Sequence, residues 1–357
     1  MPRPRLAVLN ILVAIIGVAL LVFTVQRAGG WAVIVDGVAS IGWWFAVVVL
    51  LGAFRMLCRT RAWMICANDP QLRFSDAFGA WLVSDAVGNL TPLGVLASEP
   101  TKILMVRTKI STVTSVASVT IENIFYTASV LVVLLSGTWL FLQHANVPPG
   151  LEHISEIIVA TVAIAAVVGI WAARARPAVL SRFAPLVSKI AGRADAPGEA
   201  IRDVESQIYA VPRWPIGRIA HVSLWEVAFH VGAVAEVFVV LRLLVPDITL
   251  TESFLLESAG RFVTVAFKFV PYRLGIDEAG SGAVASVLGL PPMTGVTLAL
   301  VRRIRIIVLN AIGLLLLARH RARKKRTCHI FSIRVVRAAK KMWQVPFSRD
   351  RSPCLRG

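Results

Sequence analysis

Three arginines, Arg302, Arg303 and Arg305, stand about ten residues inside the apolar run Val296–Ala318, roughly 14 Å from its start at 1.5 Å per residue. A guanidinium stays charged at any physiological pH and presents five donors. A charge at the centre of a membrane span costs about 2.5–3.5 kcal/mol on insertion scales, so it faces a cavity or a partner. Arg302 and Arg303 are adjacent, point to different sides of a helix and are hard to satisfy locally. They predict a polar path that takes a charged headgroup. Arg305 either joins that path or snorkels toward an interface.

Further charged and polar residues interrupt the other apolar segments. Glu257, Arg261 and Lys268 lie in Phe254–Val270, Asp85 and Asn89 in Phe74–Leu90, and Glu122 in Val113–Leu140. Glu226, His230 and Glu236 lie in Ile219–Leu241. Glu257 and Arg261 are four apart, which predicts an internal ion pair on one helix face. Glu226 and His230 share that spacing and read as a buried hydrogen-bonded pair or as a proton relay. No His/Glu motif has zinc spacing, so neither a metal, a cofactor nor a catalytic residue is expected. Cys58, Cys66, Cys328 and Cys354 fall in basic segments. They are expected as unpaired cytoplasmic thiols without a role.

The elements that hold these residues follow from composition. The chain is 57% hydrophobic and only 16% charged, against about a quarter charged in a soluble domain. Six segments approach or exceed the roughly 20 apolar residues of a helical span: Leu6–Val25, Ile41–Leu57, Val113–Leu140, Ile154–Ala173, Ile219–Leu241 and Val296–Ala318. The expected fold is an all-α polytopic membrane protein of six spanning helices plus two Pro-broken re-entrant hairpins. Arg3 and Arg5 before the first span place the N-terminus inside. The basic segments Arg55–Arg73 and Arg174–Arg213, and the tail, also fall on the cytoplasmic side. The expected location is the bacterial inner membrane, with both termini cytoplasmic.

Each hairpin contains a break. The first runs Phe74–Leu90, breaks at Thr91–Gly94, resumes from about Ser98 and emerges at Lys102, Arg107 and Lys109. The second runs Phe254–Val270, breaks at Pro271–Gly275 and resumes over Glu278–Leu288. Pro92 and Pro271 are 179 positions apart, as are Glu99 and Glu278, and Ser98 and Asp277. Ser and Asp are both good N-cap types. Charge-derived topology sends the first hairpin in from the inside and the second from the outside. The pattern predicts an inverted-topology repeat, roughly 6–141 and 154–318, of the kind common in transporters. Two capped helix starts near the midplane would favour an anion.

The net charge of +18 would suggest nucleic acid in a soluble protein. Here the positive residues sit between spans and in the tail, as in cytoplasmic loops, and no nucleic-acid motif is present. The run Arg319–Arg326 is a topology anchor that also attracts anionic lipid. Residues 321–357 read as a basic cytoplasmic tail, within which Phe331–Trp343 would form a surface-lying basic helix.

At the hairpins the chain resembles a known family. The stretch Asn89-Leu-Thr-Pro-Leu-Gly-Val-Leu-Ala-Ser-Glu99-Pro-Thr-Lys102 resembles the first hairpin of the lysylphosphatidylglycerol synthase transmembrane (flippase-like domain) family. Pro271–Glu278, Leu288–Pro292 and the arginines of the last span resemble its second hairpin and final helix. The second break departs from the family's glycine-rich pattern, reading Tyr272-Arg273-Leu274-Gly275-Ile276-Asp277. The resemblance implies a domain that moves phospholipid or a related lipid between leaflets, here without the soluble synthase domain of two-domain members. The expected headgroup path takes in Asp85, Asn89, Pro92, Glu99, Lys102, Glu122, Arg261, Lys268, Arg273, Asp277, Glu278, Arg302 and Arg303. The expected partners are membrane lipids, anionic by the charge of that path, with lipid- or glycan-synthesis enzymes as further partners and no nucleic acid. Two other readings stand beside it: a membrane-embedded lipid headgroup transferase, and an ion-coupled small-molecule transporter.

Overall fold

The computed structural model describes residues 26, 31–90, 94–144, 198–267 and 275–343, with isolated positions between 159 and 175. Among the described residues the chain is all-helical, with no strand. Helix α1 (Trp31–Ile41) turns through Gly42–Trp44 into α2 (Phe45–Ala67). Then come α3 (Phe74–Leu90), α4 (Gly94–Val106) and α5 (Thr112–His144). The second half holds α6 (Gly198–Tyr209), α7 (Ile216–Leu244), α8 (Leu250–Ala266), α9 (Ile276–Val287) and α10 (Pro292–Trp343). Three stretches, Val38–Ala67, Thr112–Gln143 and Ile216–Leu244, are long and apolar enough to cross a membrane. The expected first span lies outside the described residues, as does most of the fourth.

Local chemistry sets the helix ends. Asn68 closes α2 in the left-handed conformation, φ 48°, and its N–H reaches the Met64 carbonyl at 2.9 Å; Asn tolerates that conformation better than most residues. Ser111 Oγ accepts the Thr114 N–H at 3.0 Å and starts α5. A capping box opens α8: Thr249 Oγ1 accepts from the Glu252 N–H, and Glu252 Oε2 accepts from the Thr249 N–H at 2.7 Å. At α9 the cap is Gly275, φ 78°, and the Glu278 carboxylate accepts the Gly275 N–H at 2.8 Å.

These ends correct several expectations. Asp277 does not cap α9, because the chain enters that helix through a left-handed turn at Gly275 that suits glycine. Ser98 does not cap α4, which already begins at Gly94. Helix α2 continues ten residues past Leu57 to Ala67, so Arg55, Arg59 and Arg61 are helical rather than part of a loop. Helix α10 is continuous to Trp343, so Phe331–Trp343 prolongs the last helix instead of forming a separate one.

Helix α2 packs along α7, α3 against α4 and α10, and α9 against α10. One apolar cluster joins Ile41, Val48, Val237, Leu241, Leu256, Leu298 and Val301. A second joins Trp63, Leu72, Ala80, Val106 and Val119, and a third joins Ala62, Cys66, Ile121 and Val222 beneath Trp214 and Trp225. Close contact between α10 and α3 depends on Gly313, where a Cβ would lie 2.4 Å from the Leu82 carbonyl oxygen. Large apolar side chains such as Leu50, Val132, Trp139, Leu224, Val231 and Leu315 point outward, as they do on a lipid-facing surface.

Candidate functional site

The interior between the apolar clusters is charged. A cavity of about 310 Å³ lies among α2, α3, α5, α7, α8, α9 and α10. Its walls include Arg55, Arg59, Arg261, Arg302, Arg303 and Arg305, with Asp85, Glu257 and Asp277. Trp81, Tyr126 and Phe229 supply aromatic faces. The volume is at the low end of the range for small-molecule sites.

Two carboxylates organise most of the cations. Glu236, on α7, accepts from Arg305 Nη1 at 2.5 Å and Arg55 Nη1 at 2.8 Å, and its other oxygen lies 3.4 Å from Arg302 Nε. Glu257, on α8, pairs with Arg302 and with Arg261, whose Nη2 is 2.7 Å away. Four guanidinium groups therefore share two carboxylates. Arg55 Nε and Arg305 Nε are buried and have no hydrogen-bond partner. Unmet charged donors at a cavity wall favour an incoming anion.

Two smaller groups flank this centre. Arg303 Nη2 lies 2.7 Å from Glu278 and 4.0 Å from Asp277. Arg59 pairs with Glu122, reaches Asn123 Oδ1 at 3.4 Å, lies 3.8 Å from Glu226 and stacks 3.7 Å over the Tyr126 ring. Asn89 donates to Asp85 at 3.0 Å, on the α3 wall. The arrangement can exchange one acceptor for another on several guanidinium groups, and its aromatic faces can cover a cation.

The model of the lysylphosphatidylglycerol synthase TM region matches residues 8–313. The chain belongs to this family. No curated protein and no solved structure matches. Membership in the lysylphosphatidylglycerol synthase transmembrane family makes the chain a membrane protein related to lipid handling, in keeping with its apolar helices.

Within this family member, six of the expected path residues line the cavity: Asp85, Asn89, Arg261, Asp277, Arg302 and Arg303. Glu122 and Glu278 stand behind it, each holding an arginine of the wall. Pro92, Lys268 and Arg273 lie outside the described residues. Glu99 and Lys102 are not in the wall; they pair with each other at 3.1 Å. Lys102 does not emerge at a surface. It is buried, with Nζ 3.7 Å from the Trp81 ring centroid.

The expected Glu257–Arg261 pair is present. Arg305 does not snorkel, because Glu236 meets it within the interior. Glu226 and His230 do not bond to each other: His230 Nε2 meets Ser129 Oγ at 3.0 Å, and Glu226 faces Arg59. The α9 start is also not free for an anion, since Glu278 already occupies the Gly275 N–H. Arg55 and Arg59 were not foreseen as site residues. The signal was their i,i+4 spacing within a run that continues apolar through Trp63 and Ile65. Cys58 and Cys66 are free and buried within α2, not in a cytoplasmic loop.

Proposed function

We propose that this protein is a lipid translocase that moves a phospholipid or related lipid with an anionic headgroup between the leaflets of the bacterial inner membrane. The observation that carries the reading is the cavity at which four guanidinium groups share two carboxylates and two buried Nε–H donors are unmet. An anionic headgroup would satisfy those donors by displacing Glu236 or Glu257 from part of its arginine set. The acyl chains would stay against the apolar outer surface. No step of bond cleavage is required of any residue.

The same reading takes the two broken helix pairs as re-entrant and the halves as an inverted repeat with both termini cytoplasmic. The order of helix lengths supports it: 23, 17, 13 and 33 residues for α2–α5, then 29, 17, 12 and 52 for α7–α10. Breaks at membrane depth are tolerated where they are buried in protein or line a cavity.

The test is movement of reporter lipids in reconstituted liposomes, with anionic and zwitterionic headgroups compared. Wild type should move the anionic reporter, and a folded Arg302→Ala/Arg303→Ala variant should not. Glu99→Gln, outside the cavity wall, should retain movement. A correctly inserted wild type that moves neither reporter, with or without an ion gradient, would discard the proposal.

A further inference from the structure

Behind the Arg59 wall lies a group that headgroup binding does not use. Glu226 is 1% exposed, and neither carboxylate oxygen has a hydrogen-bond partner. The nearest cation in pairing range is Arg59 Nε, 3.8 Å away, and that nitrogen already donates to Glu122. Two buried carboxylates therefore share one guanidinium. Arg59, Glu122 and Glu226 lie about 12–15 Å from the same end of their helices at 1.5 Å per residue, the end formed by Ala67, Thr112 and Ile216.

Each neighbouring element adds to the count. Helix α2 contributes Arg59 and the thiols of Cys58 and Cys66, and α5 contributes Glu122 and the Tyr126 phenol. Helix α4 contributes Lys102, already paired with Glu99. Helix α7 itself contributes His230, bonded through Nε2 to Ser129. The local balance is one cation against two anions. Two like charges in one buried site repel each other, and a single guanidinium stands between them.

The two sides of the triad differ. Toward the Ala67–Ile216 end lies the apolar cluster of Ala62, Cys66, Ile121 and Val222, with Trp214 and Trp225 packed against it. Arg218 ties α7 to α2 at that end by donating to the Ile65 and Cys66 carbonyls. On the other side Arg59 and Tyr126 separate the triad from the cavity, and both line it.

We infer that Glu226, set against Glu122 at Arg59, is a proton-binding site that couples headgroup binding to proton uptake through competition for Arg59. This rests on the translocase reading for its consequence but not for the site itself. With both carboxylates ionised, Arg59 is held from behind. When hydronium in the cavity gives a proton to a Glu226 carboxylate oxygen, leaving water, one of the two claims on Arg59 lapses. Arg59 can then take an anionic oxygen from the cavity. Headgroup and proton are thereby bound together and released together on the same side.

The first measurement is infrared difference spectroscopy of the full-length protein in liposomes during a pH titration, without added reporter lipid. Wild type should show a protonated-carboxyl C=O band. Glu226→Gln and Glu122→Gln should each abolish it, because either change leaves one carboxylate for one guanidinium. A band that persists in Glu122→Gln overturns the shared site, as does a wild type without one. Glu226→Asp, which keeps the acid, should restore the band and guards against loss through misfolding.

The second measurement is transport. A pH gradient should speed anionic-reporter movement several-fold in wild type and not at all in Glu226→Gln. Equal stimulation of both overturns the coupling. Absence of any lipid movement, with the band behaving as stated, overturns the translocase reading and leaves the proton site standing.

Discussion

Arg305 Nη1 lies 2.5 Å from Glu236 Oε2, which ties α10 to the middle of α7 through a pair withdrawn from both water and lipid. Because Arg55 and Arg302 also lean on Glu236, removing it strands three guanidinium groups. Breaking a buried pair from one side costs about 3–5 kcal/mol. Glu236→Ala should therefore lower the melting temperature in detergent sharply, and Glu236→Asp much less. A Glu236→Ala protein as stable as wild type would show that water already relieves these charges.

Contact between α3 and α10 gives a second prediction. A Cβ at Gly313 meets the Leu82 backbone, which cannot swing aside. Overpacking of this kind costs about 1–3 kcal/mol. Gly313→Ala should lose that stability in a thermal melt. Gly79→Ala, where nothing lies within 4 Å, should be neutral or slightly stabilising by helix propensity.

Thiol labelling tests the length of α2. With Cys328 and Cys354 replaced by serine, Cys58 and Cys66 should resist a membrane-impermeant maleimide applied to either face, since both are buried. Both should react after denaturation. Fast labelling of the native protein would return this stretch to a loop.

Lys102 provides a contrast with the arginines. It sits over Trp81 and pairs with Glu99, away from the cavity wall. A desolvated cation–π contact is worth about 2 kcal/mol. Lys102→Met should cost stability on that order and leave the affinity for anionic lipid unchanged; a large loss of affinity would put Lys102 in the path after all.

Elements bounded by sharp local signals were legible in the sequence. Helix α3 has the bounds Phe74–Leu90 that the apolar run ahead of a proline in the sequence predicts, and the Glu257–Arg261 pair is set by one turn of helix. Partners from distant segments were not legible. Arg302 finds Glu257 across 45 positions and Arg305 finds Glu236 across 69, and nothing local encodes either choice. Arg55 and Arg59 were hidden for a different reason. Positive charge beside an apolar run is the usual mark of a cytoplasmic loop, and only tertiary packing distinguishes such an arginine from one turned into an interior.

The wall also carries its own counterions. Six guanidinium groups (Arg55, Arg59, Arg261, Arg302, Arg303 and Arg305) meet seven carboxylates (Asp85, Glu122, Glu226, Glu236, Glu257, Asp277 and Glu278). The proton inferred at Glu226 would bring the set to neutrality. A carrier with bare arginines would drag net charge through the transmembrane voltage whenever it reset without cargo, at about 2.3 kcal/mol per charge per 100 mV. With the proton released beside the headgroup, the empty set would carry one net negative charge in place of six positive ones, so its return would feel the voltage as a single charge, while the loaded passage would carry only the charge of the lipid.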